Sequence, residues 1–518
     1  MLVTAFALLF SACTSNLPEI AGIATVQTTG GQVEGTVADG LSTFKGIPFA
    51  APPVGALRWK APQPVVPWTD VKQTVAFANS CMQDMAMARQ MGDTSEISED
   101  CLYLNVWTPA ARASDRLPVL VWIYGGGFSG GMTSVPMYNG EHLAKKGIVV
   151  VSIAYRVGAF GFLAHPELSA ESGKGSGNYG LQDMIAGLEW VKNNVDRFGG
   201  DPSKVTIFGH SAGGMAVSML AASPAAAELF RGVIAMSGAS MAPLRTGARG
   251  ETGLRVPLLS IAETEGAAFI GKLGAADITA ARGISAEDIQ KAVAGSGVSF
   301  RPVSDGNIII DDQYRLYQSG RFNDTPILIG STSDEAASFG ARKTNVAEFV
   351  KQVNSSYGSD AAAILAVYPH ANDEEASLSS KQLSRDNTFG WNAWAWAYMQ
   401  ARHGKGSAFV YYFDQHPPTS PDGTGHGLDV PYAFQTLTGR DGAPPESADV
   451  ALSDVVSSYW VNFTKTGDPN ANGLPVWTPY SDAAPKAMVF RNGAGTTEAY
   501  PNMEKLQVMD KYFARFRK

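Results

Sequence analysis

What most limits the fold of this chain is a series of short, nearly unbroken apolar runs. Pro118 to Tyr124 (PVLVWIY) is one, Gly147 to Tyr155 (GIVVVSIAY) a second, Val205 to Phe208 a third and Gly232 to Met236 a fourth. A strand with one wet face alternates polar and apolar residues. A strand without that alternation is covered on both faces, as in a parallel sheet between layers of helices. Between the second and third runs, Leu181, Met184, Ile185, Leu188, Val191, Val195 and Phe198 recur at three- and four-residue steps, which predicts an amphipathic helix over 181–198. Further strands are predicted at Pro326 to Ile329 and Phe409 to Phe413. Strands alternating with helices place the chain in the α/β class, with a mostly parallel central sheet flanked by helices. The 518 residues show no repeat and no low-complexity linker. The Ala- and Gly-rich stretch from Ala262 to Gly297 reads as a helical, lid-like insertion near the mouth of the site. One domain over residues 26–518, after a leader over 1–25, is the simplest organisation. Trp391, Trp394, Trp396 and Tyr398, close to Phe389, have the spacing of a helix core rather than of a ligand box.

Directly after the third run stands Gly209-His210-Ser211-Ala212-Gly213. A nucleophile held between a strand and a helix sits on a tight, strained turn, and its neighbours two residues away must lack bulk. The helix that follows aims its N-terminus at the serine and favours negative charge there. Ser211 is therefore the candidate nucleophile. Acyl transfer also needs donors for a developing oxyanion. Gly125-Gly126-Gly127 closes the first run, and glycines let backbone N–H groups approach a substrate oxygen without a Cβ in the way. Gly126, Gly127 and Ala212 are the expected donors.

A serine nucleophile needs a base, and the chain has seven histidines. His210 lies inside the turn; its ring should point away from the serine's line of attack, which leaves it a neighbouring role. His142, His165, His370 and His403 sit in surface or helical contexts, and His416 precedes two prolines. His426, in Gly425-His426-Gly427, comes late in a flexible loop after a strand. In folds that use this turn the order is Ser, acid, His. The acid should close a strand between the other two. Asp334 and Glu335 follow the predicted strand at 326–329, and on the residues alone either carboxylate serves.

Several ordered segments resemble the type-B carboxylesterase family, which includes cholinesterases and bacterial para-nitrobenzyl esterases. They are FKGIPFAAPPVGALRW (44–59), SEDCLYLNVWTP (98–109), GGGF (125–128), YRVGAFGFL (155–163), NYGLQD (178–183), FGGDPSKVTIFGHSAGG (198–214) and WVNFTKTGDPN (460–470). The resemblance runs from about Val26 to the C-terminal region. It implies an α/β-hydrolase fold and a serine carboxylic-ester hydrolase that needs no cofactor. It selects Glu335 as the acid, and it implies a Cys81–Cys101 disulfide, an Arg58–Glu99 ion pair and a role for Ser237 near the acid. Two departures stand out. Family members usually carry Glu where this chain carries His210, which alters the local charge and its response to pH. The 81–101 loop also lacks an aromatic residue, whereas in cholinesterases that loop supplies the tryptophan that attracts choline. An uncharged ester is thus the expected substrate. Met82, Met85, Met87 and Met91 in the same loop are soft side chains that either line a permissive pocket mouth or simply pack the loop. A specialised toxin-ester or aromatic-ester hydrolase on the same scaffold is the closer alternative. A non-catalytic, neuroligin-like binding protein is the remoter one, because all three triad positions are filled.

The formal net charge of −8 offers no basic stripe for nucleic acid. No histidine pair or cysteine cluster has metal-ligand spacing, so no metal is expected. The first residues, MLVTAFALLFSAC, form a short apolar run like that of an export signal, although no Lys or Arg precedes Lys45. The ending Phe10-Ser11-Ala12-Cys13 resembles a bacterial lipoprotein cleavage box, so the expectation is an exported enzyme, with membrane attachment through a lipidated Cys13 as one form of it. Of the three cysteines, Cys81 and Cys101 then remain as an even pair, either bonded or two buried thiols.

Overall fold

The computed structural model describes residues 22–340, 343–416, 422–439 and 443–517. Cys13 and residues 1–21 of the leader lie outside the described residues. The apolar runs form the middle of one eleven-stranded sheet. In chain order its strands are β1 (Thr36–Ala38), β2 (Leu41–Pro48), β3 (Tyr103–Thr108), β4 (Leu117–Ile123), β5 (Val149–Ile153), β6 (Gly200–His210), β7 (Gly232–Met236), β8 (Ile327–Thr332), β9 (Ala408–Phe413), β10 (Lys486–Arg491) and β11 (Ala494–Ala499). Their spatial order is β11-β10-β9-β8-β7-β6-β4-β5-β3-β2-β1. The stretch from β5 through β4 and β6 to β10 is parallel throughout. Both edges are antiparallel, β3 to β1 on one side and β11 on the other. The interior strands are the ones without polar alternation: β5, β7 and β8 are buried at every position.

The predicted helix over 181–198 is α1 (Tyr179–Asn194), followed by a 3-10 turn at Val195–Phe198. The strand expected through Tyr155 stops at Ile153, because Tyr155 turns to meet Tyr124 at the end of β4. Their rings stack at 4.3 Å. The Tyr124 hydroxyl donates to the Tyr155 carbonyl at 2.8 Å, and the Tyr155 hydroxyl donates to the Tyr124 carbonyl at 2.9 Å. This reciprocal pair fixes where the glycine loop begins.

The tryptophan-rich segment is a helix, Trp391–His403, with Trp391 and Trp396 fully buried, as the core reading expects. The 262–297 region consists of the helices Leu259–Lys272, Ile278–Arg282 and Ala286–Ser296. It is packed onto the body rather than free: Phe269, Ile270, Ile278, Ala281 and Ile289 are buried. Arg58 reaches it, donating through Nη1 to the Ile284 carbonyl at 2.7 Å while Nε and Nη2 grip both oxygens of Glu99 at 2.7 and 2.6 Å. The expected Arg58–Glu99 pair is thus present in two-pronged form.

Candidate active site

The chain turns back on itself between β6 and the helix α2 (Ala212–Ala221), and Ser211 is the hinge. Its φ of 56° and ψ of −121° lie outside the regions comfortable for a residue with a side chain. The turn closes only because its flanks are bare. A Cβ on Gly209 would stand 2.3 Å from the Gly213 carbonyl oxygen, and one on Gly213 would stand 2.1 Å from that of Ile123. The Ser211 N–H donates to the Met236 carbonyl of β7 at 2.9 Å. Ala212 opens α2, so its N–H has no carbonyl one turn back to bond.

The triple glycine follows β4. Gly126 has φ +115° and Gly127 φ +64°. A Cβ on Gly126 would meet the Gly130 carbonyl oxygen at 2.2 Å, so the loop folds tightly on itself. The disulfide loop holds it from outside. Cys81 and Cys101 are bonded. Two residues beyond Cys81, the Gln83 amide clamps Gly131: its oxygen accepts from the Gly131 N–H at 2.7 Å and its nitrogen donates to the Gly131 carbonyl at 2.9 Å. Gln83 has no signal in the sequence alone, since only the fold carries the loop across to the glycines. Met82 is buried beside Cys81 in the core instead of lining a mouth, and Met85 packs partly against the same core.

The candidate base and acid meet across the ends of β8 and β9. The strand β8 runs three residues past its predicted end, to Thr332. Glu335 is fully buried there. Its Oε1 accepts from the Thr332 N–H at 2.8 Å and its Oε2 lies 2.5 Å from Nδ1 of His426. Asp334 points elsewhere: its Oδ2 pairs with Lys381 at 2.5 Å. The histidine loop is tied to this corner by backbone bonds, with the Asp334 N–H donating to the Thr424 carbonyl at 2.9 Å and Ser338 Oγ donating to the His426 carbonyl at 3.2 Å. Nε2 of His426 is buried and makes no hydrogen bond among the described residues. It is the nitrogen left for a nucleophile, and such bonds often close only in the substrate complex. Ser237, just past β7, is fully buried, with its N–H on the Gly330 carbonyl at 2.9 Å.

Three rings pack around His426: His210 at 4.6 Å, Phe389 at 4.7 Å and Phe339 at 5.0 Å between centroids. Phe339 is 63% exposed and borders a cavity of about 300 Å³ that also touches Ala336, Phe349, Tyr357 and Lys381. Neither phenylalanine is identifiable from sequence, because each is far along the chain from His426. Three residues after the histidine, Asp429 is buried, with the Tyr411 hydroxyl donating to its Oδ2 at 2.8 Å. Burial, reinforced by the nearby Glu335 charge, pushes its carboxyl up to about 7. Burial also drives the His210 imidazole well below its ordinary value, with His426 adding to the effect.

Residues 23–509 match the carboxylesterase family. The chain is 36% identical to a fumonisin B1 esterase of Sphingopyxis macrogoltabida, over 91% of this chain and 87% of that protein. It is 34% identical to the para-nitrobenzyl esterase of Bacillus subtilis (strain 168), over 93% of this chain and 97% of the relative. An acetylcholinesterase of Bungarus fasciatus is 33% identical over 92% of this chain and 84% of its own. Among solved structures, a PNB esterase superposes with a TM-score of 0.81 at 33% identity, covering 93% of this chain and 99% of that one.

Proposed function

Because this chain belongs to the carboxylesterase family, has the α/β-hydrolase fold and is a serine carboxylic-ester hydrolase, we propose that it cleaves uncharged esters through an acyl-enzyme on Ser211. His426 takes the serine proton as Oγ attacks the carbonyl carbon. The oxyanion is received by the N–H groups of Gly126, Gly127 and Ala212. Protonated His426 then gives its proton to the departing alkoxide, activates a water, and the acyl group leaves Ser211 as the acid. Glu335 holds the imidazole with Nδ1 protonated and balances its positive charge. The observation that carries this reading is the 2.5 Å contact between His426 Nδ1 and a fully buried Glu335, with the His426 ring 4.6 Å from that of His210, the neighbour of Ser211.

The preference for uncharged esters rests on the surroundings of His426. The disulfide loop has no aromatic platform for a quaternary ammonium group. The base itself is flanked by Phe339 and Phe389 rather than by an exposed carboxylate. The test compares kcat/KM for butyrylcholine with that for an uncharged butyrate ester of similar size. No choline advantage is expected; a tenfold one, about 1.4 kcal/mol of transition-state binding, would contradict the reading. A second reading, a specialised toxin-ester hydrolase, is favoured by the likeness to the fumonisin B1 esterase. It is read out by the same assay extended to that ester.

We also read residues 26–518 as one catalytic domain and the enzyme as exported. The Cys81–Cys101 bond supports an oxidising compartment. Lipid attachment at Cys13 is tested by the mass of the mature N-terminus. A lipid-modified Cys13 supports it, and an unmodified terminus beyond residue 13 refutes it.

A further inference from the structure

His210 is a titratable group of the turn that ester cleavage leaves unused. It closes β6 and is 8% exposed. Its ring lies against the ring of His426, centroids 4.6 Å apart and planes 40° apart. Two glycines make room for it. A Cβ on Gly427 would come within 3.1 Å of its Cε1, and a Cβ on Gly125 within 3.3 Å of its Nδ1. The imidazole is therefore clamped between the glycine loop and the loop that carries the base. Its Nε2 is buried and has no hydrogen-bond partner among the described residues.

The charged groups around it come from few elements. The glycine loop contributes none, and the partner of His210 in β7 is Met236. The histidine loop brings His426 and, three residues on, Asp429, whose Oδ2 is occupied by the Tyr411 hydroxyl of β9. Glu335, from the end of β8, is bonded to the Nδ1 of His426. Neither carboxylate has a hydrogen bond or ion pair with His210, and Asp429 is itself held toward its protonated form. A proton on His210 would therefore sit in a dry site, in ring contact with the imidazole that must become cationic during turnover. Two such charges disfavour one another.

We propose that His210 is a positioning residue that packs an uncharged imidazole on His426, so that only His426 of the pair carries a proton during turnover. This rests on the triad reading given above. The consequence is electrostatic. With a neutral neighbour, the imidazolium of His426 is balanced by Glu335 without a further anion in ring contact. A carboxylate in that place would favour the charged form of the ring beside it, which a neutral imidazole does not. The low value to which burial drives His210 agrees with this.

The test has two arms. In the first, the acid limb of kcat/KM for an uncharged aryl ester is followed for the intact enzyme, His210→Gln and His210→Glu. The neutral Gln should leave the midpoint within about 0.3 pH unit, whereas Glu should raise it by about 1 unit, the scale of a charge at contact distance. A Gln variant that moves the limb as far as Glu does would overturn the proposal. The second arm needs no variant: histidine resonances of the unmodified protein are followed by NMR, free and after reaction with a phosphonate ester. In the free enzyme His210 should remain unprotonated well below the ordinary histidine value near 6.5. One histidine, His426, should gain a proton in the adduct. Protonation of His210 together with His426 would overturn the proposal alone. An adduct in which no histidine gains a proton would overturn the triad reading as well.

Discussion

Both carboxylate oxygens of Glu335 are committed, Oε2 to Nδ1 of His426 at 2.5 Å and Oε1 to the N–H of Thr332 at 2.8 Å. The carboxylate thus has one orientation, and the imidazole bonded to it has one tautomer. Glu335→Gln keeps the size of the side chain but removes the charge that balances the imidazolium. It should lower kcat by roughly 10³–10⁴, as loss of a triad carboxylate does elsewhere. Asp334→Asn alters the largely buried contact to Lys381 and leaves the Glu335–His426 bond in place, so it should cost less than about tenfold in kcat. Steady-state kinetics on one aryl ester ranks the two; the reverse order would make Asp334 the acid.

The Cys81–Cys101 bond closes a loop with a sequence separation of 20. Chain entropy alone gives such a loop about 3 kcal/mol. Gln83 adds a second consequence, because it bonds both backbone groups of Gly131 beyond the triple glycine. The double change to Ala at both cysteines should therefore lower Tm by several degrees and also lower kcat. Thermal unfolding and activity at a temperature where the variant is folded separate the two effects. Intact kcat in the folded variant would show that the loop does not steady the oxyanion donors.

Asp429 gives the fold a pH dependence of its own. Its carboxyl is raised to about 7 in the folded protein, from 3.8. The folded state thus holds this proton more tightly than the unfolded chain does. The stability this brings is full below about pH 4 and is lost as pH rises through 7. Asp429→Asn preserves an acceptor for the Tyr411 hydroxyl and removes the titration. It should match the unsubstituted protein near pH 4 and exceed it at pH 8, by an amount on the order of 2–4 kcal/mol. Denaturant midpoints at the two pH values measure this; a variant less stable at pH 8 than at pH 4, relative to the unsubstituted protein, would contradict it.

The parts of this site that follow from local rules are legible in the sequence. The bare flank at Gly209 is demanded by a contact four residues on, at Gly213, and the all-apolar strands by burial on both faces. The glycines around His426 and its place in the Ser, acid, His order mark it as the candidate base without any structure. What escapes is whatever depends on distant segments meeting. Phe339 and Phe389 meet His426 only because the β8 corner and the helical turn ahead of the tryptophan-bearing helix converge there. Asp429 reads as an ordinary polar residue until burial beside Glu335 makes it titrate abnormally. The edge strand β11, AGTTEA, carries too few apolar residues to announce itself, and is held by pairing with β10. The Met82 side chain fills core space that composition alone does not reveal.

The central claim is that Ser211 carries the acyl group. Its most direct test is stoichiometric reaction with an aryl phosphonate ester, followed by peptide mapping and residual activity. The account predicts one phosphonyl group per chain, on the peptide containing Gly209-His210-Ser211, with activity lost in proportion to labelling. It also predicts no labelling of Ser211→Ala, which should retain its fold and lose several powers of ten in turnover. A label on another residue, or a Ser211→Ala variant keeping more than about a tenth of its activity, a loss of at most about 1.4 kcal/mol, would contradict it.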